Sequence, residues 1–203
     1  MAVLMEPDGL LGAALVREPP DAPAVRQRSA VGHAAAVTDP QSTWQAWLNS
    51  LDEPRRADAE SLRARFDALG VTDSADLIKS EVCEDLPQLA RFLLLRSLWR
   101  GAVDGWSDPH SFDQLPSAQR LLADGADRDD LVRLARAVAY EAVFATLDEL
   151  DAGGDVNVSG MDVGWTVMES GEDGSPTGRA LSGLHEDFLT TDPSGRDGND
   201  LWL

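Results

Sequence analysis

The stretch that decides the fold runs from Asp127 to Gly154, DRDDLVRLARAVAYEAVFATLDELDAGG. Asp127 or Asp129 caps a helix that continues to about Leu150, and the Gly153-Gly154 pair ends it. At 3.6 residues per turn, Leu131, Ala135, Val138, Ala142 and Ala145 fall on one broad stripe. Tyr140, Phe144 and Leu147 cluster on the opposite side. A helix apolar on two faces predicts packing on two faces, with the C-terminal half sandwiched. Glu141 is the only charged residue between Arg136 and Asp148. A carboxylate in so apolar a run is a candidate for burial and catalysis, but the same projection sets it beside Asp130 and Asp148 on one acidic flank.

Working upstream, the chain reads as a series of punctuated helices. Trp44, Trp47, Leu48 and Leu51 share a face of a short helix with Ser42 or Thr43 as its cap. Asp52 caps the next, with Pro54 in its first turn and Gly70 past its end, the usual asymmetry of Pro at starts and Gly at ends. Thr72 and Asp73 begin a third, which holds Leu77, Ile78 and Val82. Asp85-Leu86-Pro87 reads as another cap, leading into a helix from Gln88 to Arg100. That helix is apolar nearly all round and so is expected at the centre of the fold. Gly101 to Leu115 reads as a loop broken by Gly105, Pro109 and Pro116. Leu121 and Leu122 sit on a short helix stopped by Gly125. Residues 1–40 read as a flexible arm, because Pro19-Pro20 and Pro23 forbid a long helix, with one helical turn near Leu10–Val16.

Downstream, Trp165-Thr166-Val167-Met168 has strand composition, and Glu172 to Pro176 is a strong turn signal. Thr177 to Leu181 returns as a second strand. An isolated hairpin is marginal in water, so Trp165 and Leu181 are expected to lean on the helices. Ser182 to Phe188 reads as a helical turn or two, and Asp192-Pro193-Ser194-Gly195 as a turn into a loose end. The expected architecture is mainly α: an antiparallel bundle of five to six helices, 41–152, behind the arm. An acidic segment with a small hairpin, 153–203, packs on it.

Composition narrows the function. The chain of 203 residues carries a formal net charge of −19, with 36 Asp and Glu against 17 Lys and Arg. From Asp151 to Leu203 there are eleven acids and two arginines, Arg179 and Arg196. Such a charge opposes direct nucleic-acid binding, which needs cations to displace counterions, and docking on anionic membranes. No stretch approaches the roughly 20 apolar residues of a membrane span. The single Cys83 rules out an intramolecular disulfide and fits a reducing cytoplasm. Flanked by Glu81 and Glu84, it reads as a packing residue rather than a thiolate nucleophile. One lysine against sixteen arginines, with abundant Ala, Gly and Asp, points to a GC-rich bacterial gene.

Motifs with chemistry are sparse. There is no phosphate-binding Gly-rich loop and no nucleophile elbow. Asp151, Asp155 and Asn157 lack calcium-loop spacing, since Asp162 stands where the bidentate Glu belongs. His185-Glu186-Asp187 has no second ligand at helical spacing, because Phe188 and Leu189 occupy those places. Asp108 and His110 lie in a loop with Trp106 and Phe112, where a titrating imidazole could line a pocket. The catalytic candidates are therefore His110, Asp108, His185, Glu186 and Glu141, with no cofactor and no metal expected. The favoured expectation is a non-enzymatic, cytoplasmic bacterial binding protein of accessory, immunity or antitoxin type. It would meet a basic protein partner through Trp202, Asp187, Glu186 and Asp173. The alternatives are a small metal- or histidine-dependent enzyme joining His110 to His185, and an inhibitor that mimics DNA.

Overall fold

The computed structural model describes residues 40–155, 160 and 163–202. The expectations for the arm, for Asn157 and for Asp162 lie outside the described residues. The fold is mainly α. Among the described residues there are six α-helices and one two-stranded antiparallel sheet. The helices are α1 (Pro40–Ser50), α2 (Glu53–Ala68), α3 (Ala75–Glu84), α4 (Gln88–Leu98), α5 (Pro116–Ala123) and α6 (Arg128–Ala152). The strands are β1 (Val167–Ser170) and β2 (Pro176–Leu181). No described helix is long and apolar enough to cross a membrane.

Local punctuation sets most of these boundaries. Asp52 accepts the Arg55 N–H at 3.1 Å, and proline stands in the first turn of α2. Asp127 accepts from Asp129 and Asp130 to start α6, and Gly153 ends it in the left-handed conformation. Several boundaries differ from the sequence reading; α3, for one, begins at Ala75 rather than at Thr72 or Asp73. Pro40 opens α1 ahead of Ser42 and Thr43, since proline is at home in a first turn. Pro116, read as a breaker, opens α5 for the same reason. Between α3 and α4 there is no local cap. Asp85 closes α3 with φ 57°, and the Glu81 carboxylate accepts the Leu89 N–H at 2.8 Å, so a side chain one helix back caps α4.

The expected loop after α4 begins as helix. Trp99 to Val103 form a π-helical turn and Asp104 to Ser107 a 3₁₀ turn, which together swing the chain from α4 towards α6. The wider turn brings Trp99 and Val103 fully into the core. Two hydrophobic clusters result, with α4 between them. One joins Trp44, Leu48, Ala59, Leu62, Phe66 and Ile78 of the first three helices to Leu89 and Phe92. The other gathers Leu95, Trp99, Val103, Tyr140 and Leu147 with Leu181, Leu184, Phe188 and Leu201. The central place expected for α4 is the observed one.

The C-terminal segment departs furthest from expectation. The hairpin forms around the expected turn, but its first strand is Val167–Ser170 rather than Trp165–Met168, with Val167 paired to Leu181. Trp165 donates its indole N–H to the Glu149 carbonyl at 2.8 Å. The end, however, is not loose. Asp192 is buried and accepts from the Ser194 amide, the Ser194 hydroxyl and the Gly198 amide at 2.8–2.9 Å. Gly198 sits at φ 67°, and a Cβ there would lie 2.7 Å from Leu189. This knot delivers Leu201, 3% exposed, to the second cluster. The segment after α6 is thus part of the core rather than an addition to it.

Among the described residues, the sandwich predicted for α6 is not formed. Tyr140 and Leu147 are buried, but Leu134 and Val138 are 62% and 60% exposed, and Ala142 and Ala145 face solvent. The contrast is measurable. Leu201→Ala, which empties a buried site, should cost about 2–5 kcal/mol. Val138→Ser should stay within about 0.5 kcal/mol, as surface changes do. Urea denaturation of the two variants checks both values.

Candidate functional site

Several acids meet where the C-terminal segment crosses the end of α6. That end has no basic residue in its last turn and carries Asp148 and Asp151 instead. Carboxylates at the negative pole of a helix are unfavourable unless a cation answers them. His185 supplies it. Its backbone N–H and its Nδ1 both meet Asp151 Oδ2, at 3.0 and 2.7 Å, and its Nε2 lies 3.8 Å from Asp148 Oδ1. The Phe144 ring stands edge-on to the imidazole, 5.6 Å away. The hydrogen bond that the imidazole donates to Asp151 raises the His185 pKa above its ordinary 6.5. Partial burial opposes the rise, and the Asp148, Asp151 and Glu186 charges add to it.

A carboxylate that fixes an imidazole through Nδ1 is half of a general-base arrangement. The other half would be a hydroxyl, thiol or bound water at Nε2, and Nε2 faces Asp148. Nor does His110 join it. The His110 imidazole is 83% exposed and pairs with Asp113 at 2.9 Å, while its amide donates to Asp108. Arg128, at the start of α6, holds the carbonyls of Asp108 and Pro109 at 3.0 and 2.8 Å. The two histidines are therefore tied to opposite ends of α6, about 30 Å apart at 1.5 Å per residue. They do not form one site. Among the described residues, no group of three or more His, Cys, Asp or Glu side chains could hold a metal ion.

The remaining candidates divide by what holds them. Asp187 pairs with Arg91 at 2.8 Å, and Asp173 is taken up by its turn, accepting from the Ser175 amide and hydroxyl. The Ser175 hydroxyl holds the Asp173 carboxyl below its usual range. Glu141 and Glu186 are exposed. The Trp202 ring packs edge-on against Tyr140 at 5.9 Å yet remains 54% exposed, so Leu201 rather than Trp202 anchors the terminus. Cys83, read as a packing residue, is exposed.

Sequence reasoning missed the ion-pair clusters. Arg136 joins Asp104 and Asp200 at 2.9 and 2.6 Å. Its burial opposes the charge, but these two carboxylates outweigh that and raise its pKa. Arg179 reaches Glu169, Glu81 and Asp85, which fastens the hairpin to α3. These partners lie up to 98 residues apart, beyond any local signal. No family model, curated protein or solved structure matches the chain.

The His185 clamp predicts a pH dependence with a fixed sign. Because the folded value is raised, the protonated imidazole stabilises the fold. That contribution is complete below about pH 6.5 and fades as pH rises through the folded-state value above it. Asp151→Asn should remove most of the effect. Denaturation midpoints from about pH 5.5 to about pH 8.5, with an NMR titration of the imidazole, test this. A His185 pKa at or below the ordinary value would refute the clamp.

Proposed function

We propose that this chain is a non-enzymatic bacterial protein that acts by binding a basic protein partner through an acidic surface. Accessory, immunity and antitoxin-like roles in the cytoplasm all fit this description. One observation carries the reading. Several arginines are drawn into partly buried ion pairs and carbonyl contacts, while exposed carboxylates outnumber the exposed cations among the described residues.

Arg91, Arg136 and Arg179 are each at most about a quarter exposed and are bound to carboxylates. Arg96 donates to the Leu69 carbonyl, and Arg128 to two carbonyls of the 108–109 loop. Exposed Asp58, Glu60, Asp124, Glu141, Glu149, Glu172, Glu186 and Asp197 form no ion pair among the described residues. The unpaired acids leave the net charge of −19 expressed largely as exposed carboxylates. A surface of one sign speeds association with a partner of the other and excludes partners of its own. The imidazole–carboxylate cluster at His185 favours no second reading, since it fastens the C-terminal segment to α6.

The test is capture from native cell extract on immobilised full-length protein, washed in steps from about 50 mM to about 500 mM salt. The expected result is a stoichiometric basic protein whose retention falls steeply across that range. Recovery of no stoichiometric protein at the lowest salt would overturn the proposal.

A further inference from the structure

Among the described residues, the α6 helix buries one apolar face and leaves another uncovered. Leu134, Val138, Ala142 and Ala145 follow one another at helical spacing along its solvent side, with half-buried Leu131 and Ala135 beside them. From Leu134 to Ala145 the stripe runs about 16 Å. Glu149 continues the same face, and its carbonyl accepts the Trp165 indole N–H, so a 43% exposed tryptophan closes the C-terminal end of the stripe. The two large side chains stand at one end, and the two alanines leave a shallow floor between them and Trp165. That relief admits another helix at close range.

The charge beside the stripe selects the occupant. Asp130, Glu141 and Asp148 lie on one flank of the helix, all exposed. Glu141 has no ion-pair partner among the described residues, and Asp130 meets Arg133 at 3.1 Å only at the surface. A second copy of the chain is a poor fit. In an antiparallel pairing, the symmetry sets the acidic flank of one helix against that of the other. In a parallel pairing, it meets the side of Arg128, whose guanidinium already holds two carbonyls and lies over the Phe112 ring. We propose that this stripe of α6, closed by Trp165 and flanked by Asp130, Glu141 and Asp148, is the docking surface for a basic amphipathic helix of the partner.

The inference rests on the binding function proposed above and adds its location and the form of the ligand. Such a helix would set its apolar residues, at spacings of three and four, over Val138 and the alanines. Lysines or arginines along one edge would face Glu141. Trp165 would act as the anchor, in keeping with the weight that buried tryptophans carry at interfaces.

The probe is a synthetic helix of leucine, alanine and lysine in this pattern. A glutamate version with the same apolar positions and a scrambled lysine version serve as controls. Titration calorimetry on the full chain should show binding of the lysine helix alone. Leu134→Ser with Val138→Ser, both at exposed sites that leave the fold intact, should weaken it roughly tenfold or more. Glu141→Lys should weaken it about threefold at low salt and little at high salt. Equal binding of the scrambled helix, or no loss in the double serine variant, would overturn the inference. So would a wild-type dimer in sedimentation that the double variant abolishes, because the occupant would then be a second copy. Extract capture separates the two proposals. A partner held equally by wild type and double variant leaves the binding function standing and removes α6 as its surface.

Discussion

The second core of the molecule is organised by one buried polar contact, the indole N–H of Trp99 donating to the carbonyl of Phe188. The Trp99 side chain is wholly buried, and an unpaired N–H there would cost the full desolvation penalty of the group. The bond therefore forces the chain after the hairpin to pass directly over the π-helical turn. Phe188 then stacks on Tyr140 at 5.3 Å, and Trp99 closes the aromatic group at 5.8 Å from Tyr140. Once this crossing is set, Leu184 and Leu201 have their places on either side of it. Arg136 also comes within reach of Asp200. The clamp at His185, the ion pair at Asp200 and the hairpin position all depend on the same crossing.

That arrangement explains why a strongly acidic segment can pack at all. Its described carboxylates are held in different ways. Asp187 and Asp200 meet arginines of α4 and α6, and Glu169 meets Arg179 of β2, in partly buried pairs where the attraction is screened less than at the surface. Asp151 meets His185, Asp192 is buried among amide and hydroxyl donors, and Glu172, Glu186 and Asp197 are exposed. Each arginine drawn inward neutralises at least one carboxylate of the segment or its neighbours, so the segment packs without like charges facing one another across the core.

The fold was legible wherever the signal was local. Asp52, Pro54 and Gly70 bracket α2 because capping needs no distant residue, and the hairpin was readable from Glu172 to Pro176 because turn chemistry is equally local. The π-helical turn was hidden because Gly101 and Gly105 look like breakers, while the reason to keep coiling is the burial of Trp99 against a segment some ninety residues away. The same limit applies to the terminus. Asp192-Pro193-Ser194-Gly195 announces a turn but not that Asp192 will be buried with three donors around it. Of the candidate residues, Glu141 was placed correctly on its acidic flank. The partners of Asp187 and His185 were not visible, since Arg91 and Asp151 are remote in sequence.

The two-faced pattern of α6 shows the difference between what a periodicity states and what it leaves open. Projection identified both apolar faces, and physical chemistry requires that an extended apolar face be covered or be tolerated at a cost. It cannot say whether the cover belongs to the same chain. The buried face is the one that bears rings, with Tyr140 and Phe144 meeting Phe188 and His185. The open face bears only aliphatic groups, smaller in the second half, which expose less apolar area to water. A row of acids beside it would set like charges against each other in an antiparallel pairing of two copies. A stripe of this kind is complementary to a surface that supplies both the apolar cover and the positive charge.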